Sequence, residues 1–155
     1  MNALRQRPWL QEASSKAWMN ILAHGMMYVF ASPILRSRIV ADNRQLVHKI
    51  GVTNMAVEKR IAGAHLQPTF LMANVEIVAT YELYNINRTK LENLIHRIFE
   101  SARLDIEIMD RFGKPVAPRE WFLVPLFAIN EAVAKIKDGT IADYFYDTKS
   151  ASLIK

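Results

Sequence analysis

The chain has 155 residues, of which 51% are hydrophobic and 23% charged, the size and balance of one ordinary globular domain and not of a disordered, coiled-coil or collagen-like chain. It holds no cysteine, which excludes disulfides and cysteine-ligated zinc or iron–sulfur sites and makes a reducing cytoplasm the expected compartment. The net charge of +5 is uneven: residues 1–60 carry nine Lys/Arg against three Asp/Glu, and residues 61–155 carry eleven against twelve, so a polyanion would contact the first part of the fold unless that surface is merely solvated.

Residues 9–24 space Leu10, Ala13, Ala17 and Ile21 helically, with Gly25 as the stop, and predict an amphipathic N-terminal helix over 1–24 packed on a core. No apolar stretch reaches the ~20 residues of a membrane span, and no apolar core follows Arg5 and Arg7 as a secretory signal requires. Residues 26–30 form a short run rich in β-formers between Gly25 and Ser32-Pro33, a first strand. Residues 34–45, with Arg36, Arg38 and Arg44, read as a basic loop, and 47–52 as a second strand in which Gly51 marks a bulge or a close approach.

Thr53 or Asn54 would cap a helix running through Val57, Ile61 and Ala64 to about Leu66, where Pro68 stops it. A third strand follows over 75–81. Asn87 or Thr89 caps a strong helix whose apolar face is Leu91, Leu94, Ile95, Ile98 and Phe99. Residues 104–108 alternate with period 2, residues 111–115 turn, and 120–124 return as a hairpin. Pro125 opens a last helix that ends at Asp138-Gly139, and the tail 139–155, with Tyr144-Phe145-Tyr146, packs onto the core. The expected fold is α/β (α+β): a small, mainly antiparallel three-stranded sheet flanked by helices, with a C-terminal hairpin and an N-terminal helix. One domain spans 25–138.

Tyr28, Lys49, Arg60 and Glu92 fall on neighbouring predicted elements. A phenol, an amine, a guanidinium and a carboxylate could together serve phosphoryl transfer: the carboxylate holds a divalent metal, the guanidinium steadies phosphate charge, and phenol or amine orients or deprotonates water. Hard oxygen ligands suit Mg2+, or Mn2+ in its place. Taken singly, each residue has a plainer reading: Tyr28 as core with its hydroxyl at the rim, Lys49 as a solvated edge, Arg60 as a surface partner of Glu58, Glu92 on a wet helix face. His96, one turn after Glu92, is a ligand, a neighbour of one, or structural.

In order, Gly25-Met26-Met27-Tyr28-Val29, His48-Lys49-Ile50-Gly51-Val52-Thr53, Glu58-Lys59-Arg60, Leu91-Glu92-Asn93-Leu94-Ile95-His96 and Glu120-Trp121-Phe122 resemble the GIY-YIG nuclease superfamily, in its bacterial and phage branch with a Lys-Ile-Gly second motif. The resemblance covers about 25–138. It implies Mg2+-dependent endonucleolytic hydrolysis of DNA, with Tyr28 positioning or deprotonating the water, Arg60 on the phosphate and Glu92 on the metal. The family's second tyrosine is replaced here by Lys49, with His48 beside it. Lys49 can activate water only if burial or Arg60 lowers its pKa; otherwise it is a charge on the phosphate, and Tyr28 or His48 handles the proton.

The leading expectation is therefore a metal-dependent DNA endonuclease with Tyr28, Lys49, Arg60, Glu92, His48 and His96 at its site, and Arg36, Arg38, Arg44 and Lys59 on DNA. The competing one keeps the fold without the chemistry, as an inactive DNA-binding or protein-interaction module. The N-terminal helix could make a homodimer, which would bring two sites to one duplex.

Overall fold

In the computed structural model, the structure describes residues 24–31, 45–84 and 86–155. The predicted N-terminal helix and the loop carrying Arg36, Arg38 and Arg44 lie outside the described residues. In chain order the elements are β1 (His24–Ala31), β2 (Val47–Thr53), α1 (Val57–Ile61), β3 (Glu76–Tyr84), α2 (Arg88–Ile98), β4 (Ile108–Met109), β5 (Pro115–Val116), β6 (Trp121–Leu123), α3 (Leu126–Asp138), β7 (Phe145–Asp147) and β8 (Ser152–Ile154). The fold is α+β, as expected.

The main sheet is antiparallel throughout, and among the described residues it has four strands in the order β3-β1-β2-β6, not three. The added strand is β6. It was expected to return beside residues 104–108, but it pairs with β2, setting Val47 opposite Leu123 and Lys49 opposite Trp121. Residues 104–108 alternate in burial as their period-2 pattern predicts. Their ladder is nevertheless minimal: Leu104 donates to the Trp121 carbonyl at 2.8 Å, and only the short β4–β5 hairpin forms beyond.

Alternation along β1 and β2 gives the sheet two different faces. Met27, Val29 and Ile50 pack under α2 and α3 in a core that also takes Leu91, Ile95, Ile98, Phe99, Phe122, Ile129 and Ala132. Ile141, Tyr146 and Leu153 of the tail enter the same core. The opposite face carries Tyr28 and Phe30, covered by Val57, Ala64 and Phe70. Trp121 joins Val47, Leu71 and Leu104 in a third cluster beside it.

The second face is closed by irregular chain where a longer helix was expected. α1 holds only Val57–Ile61, starts after Ala56 without a side-chain cap, and stops as Gly63 turns left-handed at φ 71°. Two 3-10 turns, Ala64–Leu66 and Pro68–Phe70, follow. The helical spacing of Ala64 is real in burial, but Gly63 breaks the backbone before it. By contrast α2 is capped as expected, with the Asn87 side chain accepting from the Lys90 N–H at 3.0 Å. α3 ends on Gly139 at φ 83°.

Candidate active site

Tyr28 lies opposite Gly51 in the β1–β2 register, and both sit on the face covered by α1. The ring folds across the Gly51 backbone so closely that a β-carbon there would stand 2.2 Å from the hydroxyl oxygen and 2.4 Å from Cζ. Gly51 is thus a close approach, one of the two readings open from sequence, and it is the space Tyr28 occupies. The ring is also stacked on Phe30, centroids 4.4 Å apart, and is only 2% exposed. Burial raises the Tyr28 pKa, with Arg60 opposing and Glu92 adding to the rise, so at neutral pH it is a protonated phenol.

Lys49 is on the same face two residues earlier, and its side chain is 0% exposed. Nζ donates to Thr69 Oγ1 at 3.0 Å and forms an ion pair with Glu120 Oε2, while the Thr69 hydroxyl donates to the same carboxylate at 3.1 Å. Trp121 Nε1 donates to the Thr69 carbonyl at 3.0 Å. Lys49 therefore ties β2 to the turn at Thr69 and to the residue that begins β6. Burial and then the Arg60 guanidinium lower its pKa to about 7, against the pull of Glu92.

Arg60, half-buried on α1, donates to Gln67 Oε1 at 3.3 Å, and its guanidinium lies 4.9 Å from the Phe70 ring centroid. Lys49 Nζ lies 5.1 Å from the same centroid. Phe70 thus carries both cations on one quadrupole.

Glu92 and His96 reach the site from the far side by completing the edge of β2. β6 is too short to pair all of β2: its last contribution is the Glu120 carbonyl, which accepts from the Ile50 N–H at 3.0 Å. Beyond it, His96 Nε2 donates to the Ile50 carbonyl at 2.8 Å, and the Val52 N–H donates to Glu92 Oε1 at 3.2 Å. Two side chains one helical turn apart replace a missing strand residue. Glu92 is half-buried, and its charge is felt at Tyr28, Lys49 and His96.

The structure therefore sets Tyr28, Lys49 and Arg60 around Phe70 on the α1-covered face, and holds Glu92 at the Val52 N–H on the edge of β2. It separates His48 from them. Neighbours on a strand point to opposite faces, and the His48 ring turns under α3's start, with Nδ1 donating to the Val124 carbonyl at 2.7 Å. Placed there it cannot take a proton beside Tyr28, so its candidacy is corrected to a structural one. His96 likewise spends its ring nitrogen on backbone. Lys59 is exposed on α1 next to Arg60. Two participants went unnoticed in the sequence, Thr69 and Gln67, and neither had a signal there. Glu120 was noted only within the string Glu120-Trp121-Phe122, without a role. A cavity of about 480 Å3 opens on the opposite side of the sheet, lined by Met27, Tyr81, Leu91 and Ile136, away from these groups.

Residues 25–137 match the model of the T5orf172 domain family. The chain belongs to this family. The T5orf172 domain is nuclease-like and DNA-associated. A relative in Bacillus subtilis (strain 168), uncharacterized protein YeeC, is 41% identical over 112 residues, 72% of this chain and 29% of the relative. The chain thus spans under a third of that relative's length. No solved structure matches. The T5orf172 match overturns the assignment to the GIY-YIG nucleases. The short strings behind it have local physical causes in this fold: Gly51 makes room for Tyr28, and Lys49 and Ile50 follow strand alternation. Among the described residues no group of three His, Cys, Asp or Glu is placed to hold a metal, and no helix is long and apolar enough to cross a membrane.

Proposed function

We propose that this T5orf172 domain is a magnesium-dependent endonuclease that hydrolyses DNA phosphodiesters at the Tyr28–Arg60–Glu92 end of β2. The observation that carries the reading is that a guanidinium and a carboxylate, both half-buried, act electrostatically on one protonated phenol. Arg60 would hold a non-bridging phosphate oxygen, and the Tyr28 hydroxyl, protonated at neutral pH, would donate a hydrogen bond to the phosphate. Glu92 fits a magnesium ion as the hard donor: one carboxylate, retained waters and a substrate phosphate are an ordinary magnesium shell. Bound there, magnesium supplies an acidified water and Lewis-acid polarisation of the phosphate. Lys49, without solvent exposure, is a positioning residue that fixes Thr69 and Glu120 around Phe70 and Arg60.

The test is cleavage of supercoiled plasmid and end-labelled duplex with magnesium or with EDTA. Glu92→Gln and Arg60→Ala are each expected to lower the rate by about 100-fold or more, with thermal stability measured in parallel. Cutting that persists in both variants, or in EDTA, overturns the reading. The near-complete burial of Tyr28 and Lys49 favours a second reading, a DNA-binding module without hydrolysis. Salt-sensitive binding with no nicking at any magnesium or manganese concentration would establish that one instead.

A further inference from the structure

The β4–β5 hairpin belongs to neither core nor site, and its tip is unusual for a solvated turn. Phe112 is 71% exposed and Met109 60% exposed. The Arg111 guanidinium lies 4.7 Å from the Phe112 ring centroid, and Lys114 stands across the turn. The tip is held in one shape. Asp110 Oδ1 accepts from the Phe112 and Lys114 N–H groups, both at 2.8 Å, the Asp110 N–H donates to the Lys114 carbonyl at 2.9 Å, and Gly113 takes φ 74°. The Asp110 carboxylate faces the backbone of the turn and offsets one of the two cations, so Arg111 and Lys114 leave the tip with a net charge of +1. Asp105 and Glu107 lie further down the first arm. The hairpin base is anchored, with Ile106 and Ile108 packed against Val47, Leu71 and Trp121.

We infer that this hairpin is a DNA-contacting finger, with Arg111 and Lys114 on backbone phosphates and the Phe112 ring against base faces. A cation-bearing aromatic on a pre-ordered turn offers a phosphate ligand and a stacking platform at one point, with little ordering left to do on binding. Lys114 and Glu120, the partner of Lys49, are six positions apart. At most ~3.5 Å per residue puts Lys114 within about 20 Å of Glu120, whose side chain is 34% exposed. The inference rests on the nucleic-acid reading above and adds to it a second contact that the chemistry does not require.

The experiment is fluorescence anisotropy of the full chain with a labelled duplex and with one of its single strands, in EDTA, across a potassium chloride series. The double variant Arg111→Ala with Lys114→Ala should weaken binding about 10-fold or more near 100 mM salt and flatten the slope of log affinity against log salt by about 2. Phe112→Ala should weaken binding about 5-fold or more with the slope unchanged, and Phe112→Trp should restore it. A loss on the duplex identifies a base step as the contact, and a loss on the single strand an unpaired base; either supports the finger. The side chains are exposed, so melting temperature should not move. Wild-type binding with all variants within twofold of it overturns the finger and leaves the nucleic-acid reading standing. No wild-type binding to either oligonucleotide overturns both.

Discussion

Replacing Gly51 by Ala tests the packing on which the site is built. The new β-carbon would lie 2.2, 2.4 and 2.6 Å from the hydroxyl oxygen, Cζ and Cε2 of Tyr28, all well inside van der Waals contact. The ring has nowhere easy to go, since Phe30 is stacked on it and it is almost wholly buried. Overpacking of this kind costs about 1–3 kcal/mol. Gly51 does not have a positive φ, so the backbone accepts alanine, and the lost glycine entropy favours the variant by about 0.5–1 kcal/mol. The net is a destabilisation of about 1–2 kcal/mol, or roughly 3–6 °C for a chain of this size. The decisive comparison is the same substitution in a Tyr28→Ala background, where the ring is gone. There Gly51→Ala should be neutral or stabilising, even though Tyr28→Ala alone lowers stability by about 3–5 kcal/mol. Urea unfolding of the four proteins gives the coupling directly, expected near 2 kcal/mol. Additivity within about 0.5 kcal/mol would refute the close approach as the reason for glycine at this position.

Two further outcomes follow from the buried polar groups. Glu120→Ala leaves the Lys49 ammonium buried without its carboxylate and should lower stability by about 2–3 kcal/mol, below the usual figure for a buried pair because Glu120 is 34% exposed; Lys49→Met should stay within about 1 kcal/mol of wild type, and equal losses in denaturant titrations would contradict the pairing. His48 and His96 both have pKa values lowered by burial, so below about pH 6.5 the unfolded chain binds protons that the folded chain resists. The contribution of the two neutral rings is then complete above that pH and lost on acidification from 7 toward 5, measurable by urea unfolding at fixed pH, with His48→Gln reducing the slope; stability that is flat or rises on acidification over this interval would count against the buried neutral rings.

Local signals were legible wherever a single element decides its own state. The β-rich runs gave β1, β2 and β3 within a few residues, the apolar stripe and Asn87 gave α2, and Pro125 and Gly139 bounded α3. What failed depended on partners. The alternation of residues 104–108 states which side chains are buried and says nothing of how far a partner strand runs alongside: β6 meets that segment only at Arg103 and Leu104 and pairs on its other edge with β2. A helical spacing through Ala64 likewise could not show that Gly63 would turn the chain.

Composition and pattern alone determined the α+β class, the absence of cysteine chemistry, the Asn87 cap of α2, the Gly139 stop of α3 and the candidate status of Tyr28, Arg60 and Glu92, because each follows from residue type and short-range period. Tertiary structure alone decided which of them meet. Strand pleating sends His48 and Lys49 to opposite faces. The shortness of β6 leaves an edge that Glu92 and His96 fill. Folding of the Thr69 turn onto β2 converts Lys49 from an expected surface charge into a buried tie. These outcomes depend on contacts between residues 20 to 76 positions apart, and pairings over such distances are selected by burial and hydrogen-bond completion in the whole fold.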